Sequence, residues 1–415
     1  MRAPALAAYG ILALPLSMVA LPVYMQVPAW YVGQIGLALP VTGYVLFGAR
    51  ILDTGQDPFL GRLVDSLQRR GRLAAALWCA ALLLALAFAG LWFPPTNGTT
   101  WMPAAWLALM LGLTYSAHSL LNIALLAWGA RVAPDTRGRT VAAAWRESSG
   151  LVGVVLASVL PAWLVARPSW TPAGGMAVYA LGFALVLGLA LAALLGAAPP
   201  WDRGADQLRA PRRPAPPAVR RLWLPYVINA LAVAIPGTLV LFYISDRIVR
   251  PDLAPAYLST YFVAGAAGMP GWTWLSRRIG PARAWAVAMA LAVCMFFWAL
   301  FLGPGDALAF GAVCLMSGLA LGADLVLPPV LLAAAIPRDQ DPAAQYGIWT
   351  LLGKLATAVS ALTLPLLAWL GYRPGASGGG GHALAIAYAA IPCGLKLIAL
   401  SLLIALVIAK EEKTP

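Results

Sequence analysis

The chain has 415 residues, of which 61% are hydrophobic and only 10% charged, with a formal net charge of +13. A soluble chain carries roughly 25% charged residues, so a water-soluble globular protein is excluded and a polytopic membrane protein is indicated. The basic excess would suggest nucleic acid in a soluble chain. Here it is accounted for by arginines flanking apolar segments, so the expected partner is the lipid bilayer and not nucleic acid.

A span needs about 20 apolar residues. That ruler places helices at roughly 5–31, 35–64, 73–93, 102–131, 140–166, 174–198, 222–246, 254–275, 283–302, 306–336, 343–370 and 382–409. The first apolar run follows Arg2 in the manner of a signal peptide. It is long, lacks a small-residue cleavage site and leads straight into another span, so it reads as a retained helix. Twelve spans put both termini on one side of the membrane. Arg69, Arg70 and Arg72, then Arg131, Arg137 and Arg139, then the linker arginines from Arg203 to Arg221, and Arg277, Arg278, Arg283 and Arg338 all fall on that side, which is therefore cytoplasmic.

The Pro-rich stretch 199–221 reads as a cytoplasmic linker between an N-terminal six-helix bundle (1–198) and a C-terminal one (222–415). The fold expected is an all-α membrane protein of twelve transmembrane helices in two pseudo-symmetric bundles, the organisation of a transporter. A weak echo joins the halves: Gly61–Arg72 closes the turn between helices 2 and 3, and Gly271–Gly280 closes that between helices 8 and 9. Leu275 stands where the first copy has Asp65. Cys79, Cys294, Cys314 and Cys393 lie in apolar runs without metal spacing and read as packing residues. The glycine run 378–381 reads as an external loop, and His382 beside it as solvated.

The informative residues are polar ones inside spans. Asp53 and Asp57 are four apart and share a helix face, at or near membrane depth, where an aspartate costs about 2.5–3.5 kcal/mol to insert. Like charges this close resist joint ionisation, so a cation between them or a proton on one is expected. The alternative is a structural ion pair with Arg50. Pro58 lacks an N–H and leaves the Thr54 carbonyl without its helical donor, which adds an oxygen of the kind that coordinates sodium at broken helices. In helix 4, Ser119 and Asn122 share a face, as cation ligands or as interhelical glue; His118 reads as a packed neutral imidazole. Helix 5 opens with Trp145-Arg146-Glu147, where Arg146 either snorkels or binds solute. Lys354 lies deep in helix 11 and must be paired or neutral; Asp324 in helix 10 is its expected partner.

The pattern Arg50-x-x-Asp53-x-x-x-Asp57-Pro58-x-x-Gly61-x-x-x-Asp65, closed by Arg69 to Arg72, resembles the helix 2 signature of the glycoside–pentoside–hexuronide:cation symporters, the family of melibiose permease within the major facilitator superfamily. Helix 1 (Tyr9-Gly10 through Gly36-Leu37), the helix 4–5 region (Leu120 through Arg146) and helix 11 (Tyr346 through Lys354) follow it too. The resemblance implies that Asp53 and Asp57 are cation-site carboxylates, with Gln56 in place of an asparagine and Ser119 in place of a threonine. It implies further that Arg146 contacts solute and that Lys354 lies near the cation. The helix 1 Lys-Asp pair of melibiose permease is replaced by Leu16-Ser17, and its helix 4 sugar-binding aspartate by Asn122. The cation half is thus retained and the sugar half rewritten.

The expectation is a secondary active symporter of the cell inner membrane, a monomer with no cofactor beyond its coupling ion (Na⁺ or H⁺). That ion is held by Asp53, Asp57, Gln56, Ser119 and Thr54. The solute, a small molecule either sugar-like or anionic, is met by Ser17, Asn122, Trp145, Arg146, Lys354 and Asp324. A proton-coupled exporter of amphiphiles or drugs and a lysolipid carrier are the alternatives on the same fold. An enzyme is disfavoured because the chain has no Ser/His/Asp set or metal cluster. A scaffold is disfavoured by the cost of its buried ionisable groups.

Overall fold

The computed structural model describes residues 3–95, 101–129, 136–165, 171–199, 214–337, 342–375 and 381–409. The chain divides into two compact units, Met1–Leu208 and Arg209–Pro415. Among the described residues ten helices are long and apolar enough to cross a membrane.

In the N-terminal unit, α1 (Ala3–Gly10) and α2 (Ala13–Gly33) form one span interrupted at Ile11-Leu12. They are followed by α3 (Leu39–Arg69), α4 (Leu73–Gly90), α5 (Met102–Gly129), α6 (Thr136–Val165) and α7 (Pro172–Ala197). Local chemistry sets the ends. Pro40 sits in the first turn of α3, where a missing N–H costs nothing. The Thr171 hydroxyl caps α7 by accepting from the Gly174 amide at 3.1 Å.

Helix α2 packs on α6, α3 on α5, and α4 on both α5 and α7. The α2–α6 seam is backbone against backbone: a Cβ on Gly153 would lie 2.2 Å from the Leu14 carbonyl oxygen, so only glycine fits. Phe88 meets Trp92, Tyr179 and Phe183 edge-on at 5.8, 6.0 and 5.0 Å, and the Tyr179 hydroxyl donates to the Met18 carbonyl at 2.8 Å. On α7, Leu181, Leu185 and Leu189 are 63–71% exposed one turn apart, while Phe183 and Leu187 are at most 1% exposed. An outward leucine stripe over an equally apolar interior is what lipid as solvent demands.

The C-terminal unit contains α8 (Pro217–Tyr243), which continues through a π-helical turn at Ile244–Ile248. Next come α9 (Ala254–Ile279), α10 (Pro281–Phe296) and α11 (Ala307–Ala335). Helices α12 (Pro342–Ser360) and α13 (Thr363–Trp369) make one broken span. The last span joins α14 (Gly381–Ala385) and α15 (Ile391–Leu403) through a second π-helical turn at Ile386–Ala390. Helix α9 lies tightly along α11, where a Cβ on Gly322 would come within 2.5 Å of the Gly265 carbonyl. Trp285 is fully buried in a core with Leu222, Met289, Leu327, Leu332 and Leu403. Beyond the α12–α13 span, the Tyr372 hydroxyl and the Gly375 amide both donate to Asp246 Oδ2, at 2.5 and 3.0 Å, latching residues 372–375 to the π-helical turn after α8. Burial, then the neighbouring carboxylate, raises the Tyr372 phenol above its ordinary range, so it keeps the proton it donates.

Each expected span has its helix. Helices α3 and α9 run on to Arg69 and Ile279, past the expected ends, and α8 begins at Pro217 inside the expected linker. These two overlong helices, of 31 and 26 residues, are also absent from the ten apolar enough to cross on composition alone. Arg131, Arg167, Arg203, Arg209, Arg212, Arg213, Arg338 and Gly378–Gly380 lie outside the described residues, as do the side chains of Arg137 and Arg139.

Candidate functional site

The acids of α3 lie where that helix packs along α5. Asp53, Gln56 and Asp57 are half-buried and Thr54 is buried. Ser119 Oγ of α5 donates to Asp53 Oδ1 at 2.7 Å, and Gln56 Nε2 donates to the same oxygen at 3.3 Å. Gln56 Oε1 in turn lies 2.7 Å from Ser116 Oγ, which is equally close to the Gly112 carbonyl. The Asp57 Oδ1 atom is sealed from solvent. Thr54 turns its hydroxyl back to the Arg50 carbonyl at 2.8 Å, so what it offers a cation is its main-chain oxygen, which Pro58 has deprived of a helical donor.

Arg50, one turn before Asp53, contacts two aromatic rings. Its guanidinium lies 4.8 Å from the centre of the Tyr24 ring and 6.0 Å from that of Tyr115, a cation–π seat between α2 and α5.

His118 Nε2 is 3.2 Å from the Leu16 carbonyl. A carbonyl only accepts, so Nε2 carries the hydrogen in this contact between α5 and α2. Ser17 on α2 faces α6, where a Cβ on Gly150 would be 3.2 Å from its hydroxyl, and Asn122 is half-buried on α5. Trp145 is 41% exposed. Arg146 is held by its neighbour: Nε donates to Glu147 Oε1 at 3.2 Å and Nη2 to the same oxygen. The backbone at Trp145-Arg146 rests against Gly10, where a Cβ would lie 2.7 Å from the Trp145 carbonyl carbon.

In the C-terminal unit Lys354 is half-buried on α12. The expectation that it pairs with Asp324 is corrected: the ion pair Asp324 makes is with Lys396 of α15, at 2.7 Å. Trp285 and Asn229 also donate to Asp324, at 2.8 and 3.0 Å. With its side chain 8% exposed and enclosed by four helices of one unit, Asp324 has no face to offer a solute.

The structure therefore joins Asp53, Gln56 and Ser119 in one network and adds Ser116, which lies one turn before Ser119 on the same face of α5. Lys396, Trp285 and Asn229 went unread in the sequence. Lys396 carried the same signal as Lys354, a lone cation in the middle of an apolar run. Among the described residues there is no cluster of three or more His, Cys, Asp or Glu side chains able to hold a metal. The groups meeting the Asp53 carboxylate are the Ser119 hydroxyl and the Gln56 amide nitrogen.

Residues 6–410 match the family described as MFS/sugar transport protein. The chain belongs to that family. An MFS/sugar transport protein is a multi-pass membrane transporter, not an enzyme, and the all-helical architecture above is the major facilitator fold. Among solved structures it is similar to a bacterial homologue of the human lysosomal transporter Spinster in an inward-facing and occupied conformation (16% identity, TM-score 0.67, covering 96% of this chain and 94% of the other). It is also similar to a mutant of the nucleoside transporter NupG (13%, 0.69, 98% and 100%) and to an inward-facing bacterial homologue of the iron transporter ferroportin (17%, 0.66, 96% and 98%). At these identities the likeness is one of fold. No curated protein matches the chain.

Proposed function

We propose that this MFS/sugar transport protein is a cation-coupled symporter of the glycoside–pentoside–hexuronide type, in which Na⁺ or H⁺ is captured at Asp53 and Asp57. The observation that carries the reading is Asp53 itself. An acid is kept within an otherwise apolar bundle, and its carboxylate accepts from Ser119 and Gln56. Holding an acid at that depth is costly, and ionisable groups kept within a membrane mark ion or substrate paths.

The solute is a small hydroxylated compound. The family description favours a sugar, and the Arg146–Glu147 pair offers donors and acceptors while carrying no net charge, which suits hydroxyls better than an anion. Ser17, Asn122 and Trp145 join that pair as solute contacts. The arginine bias puts both termini in the cytoplasm of a bacterial inner membrane. Ion and solute raise each other's affinity by one common factor. The test is thermal unfolding of the purified protein in NaCl against choline chloride and across acidic pH. The parent is stabilised by Na⁺ or by acid; Asp53→Asn and Asp57→Asn are not. A parent indifferent to both ions refutes the reading.

A further inference from the structure

A second membrane-embedded acid lies outside that site. The Asp324 carboxylate ties four helices together. Trp285 Nε1 of α10 and Asn229 Nδ2 of α8 donate to Oδ1, and Lys396 Nζ of α15 donates to Oδ2. The side chains of Lys396 and Asp324 are 9% and 8% exposed. All three partners are donors, as an ionised carboxylate requires.

The oxygens gathered here exceed what Lys396 uses. Asn229 is 3% exposed, and its Oδ1 is buried without a hydrogen-bond partner. Chemistry sets the orientation of that amide, since exchanging its N and O would put oxygen against Asp324 Oδ1. Within α11, Pro328 and Pro329 have no N–H, so the carbonyls of Asp324 and Leu325 lack their helical donors. The N-terminal unit has the same construction, with Thr54, next to Asp53, four residues before Pro58. A carboxylate, an amide oxygen and released carbonyls are the oxygen types from which sites for small monovalent cations are built. In this unit the cation present is an ammonium on the end of a side chain.

We propose that Lys396 is a tethered cation permanently filling an ion site in the C-terminal unit. On the proposed reading of Asp53 and Asp57, this leaves those two acids as the place where a coupling ion exchanges, and limits the ion count to what they hold.

The experiment uses the full-length protein carrying Asp53→Asn and Asp57→Asn, so its outcome does not depend on whether those acids bind an ion. Adding Lys396→Met lowers the thermal midpoint, and Na⁺ or Li⁺ (against choline at equal ionic strength) or acid restores several degrees of it. Adding Asp324→Asn to that variant abolishes the response. A Lys396→Met protein indifferent to Na⁺, Li⁺ and acid overturns the proposal, as does a response that survives Asp324→Asn. Should Lys396→Met not fold, the charge-neutral pair Asp324→Asn with Lys396→Gln, in otherwise parental protein, decides. It keeps the parent's ion-induced stabilisation if Lys396 is a fixed occupant, and loss of that stabilisation overturns the proposal.

Discussion

Ser119→Ala distinguishes the two candidate ions, because its effect on each has the opposite sign. In the structure the Ser119 hydroxyl donates to Asp53 Oδ1 at 2.7 Å. A hydrogen bond to a charged group contributes about 1.5–3 kcal/mol, and that much stability is lost from the ion-free protein. When Na⁺ arrives, the hydroxyl keeps its donation and turns a lone pair to the ion. The donation cancels between the two states, and the variant loses only one neutral oxygen ligand, worth about 1 kcal/mol. Half-saturation by Na⁺ therefore rises roughly 5-fold to 10-fold. If the ion is a proton, the lost donor had favoured the charged carboxylate, so the variant takes up its proton more readily and the acid response moves to higher pH. Thermal midpoints measured against Na⁺ concentration and against pH, for parent, Ser119→Ala and Ser119→Thr, read both signs at once, and threonine restores parental behaviour. An alanine variant whose Na⁺ and acid responses both match the parent's within twofold would refute the placement of this hydroxyl in the ion site.

Other outcomes follow from the same geometry. Ser116→Ala removes a neutral hydrogen bond that orients Gln56, so cation affinity falls a few-fold, by about 1 kcal/mol at most, and Ser116→Thr recovers it. Arg146→Gln lowers uptake of a neutral hydroxylated solute by tenfold or more while leaving the Na⁺-induced thermal shift intact; equal uptake by the variant removes Arg146 from the solute site. Gly322→Val forces α9 from α11 and costs about 1–3 kcal/mol, read as a lower unfolding midpoint with no specific effect on ion response. Tyr372→Phe breaks the latch onto Asp246, costs about 1.5–3 kcal/mol locally, and speeds amide exchange in residues 372–375.

Span number and order were legible because twenty-residue apolar runs carry little ambiguity. The ends of α3 and α9 were harder to place, since hydropathy cannot follow a helix that leaves the apolar layer and continues in polar sequence. Asp53 and Ser119 were readable as partners in type, though only packing put α3 against α5 and brought their oxygens to 2.7 Å. Ser116 was passed over because a serine in a span more often bonds its own backbone, and here its Oγ lies equally close to the Gly112 carbonyl. Asp324 was paired with the wrong lysine. Lys354 and Lys396 are equally conspicuous in composition, and the choice between them depends on which helix faces α11, information that no periodicity in either helix holds.

The shortfall in apolarity of α3 bears on how the protein is made. A helix that does not qualify for the bilayer by its own composition enters it only in company with more oily neighbours such as α2 and α4. Each aspartate near its middle opposes that entry by about 2.5–3.5 kcal/mol. Exchanging Asp53 or Asp57 for an uncharged residue therefore eases biogenesis while disabling transport. On the proposed reading of the two acids, the yield of folded protein from such variants rises as uptake disappears.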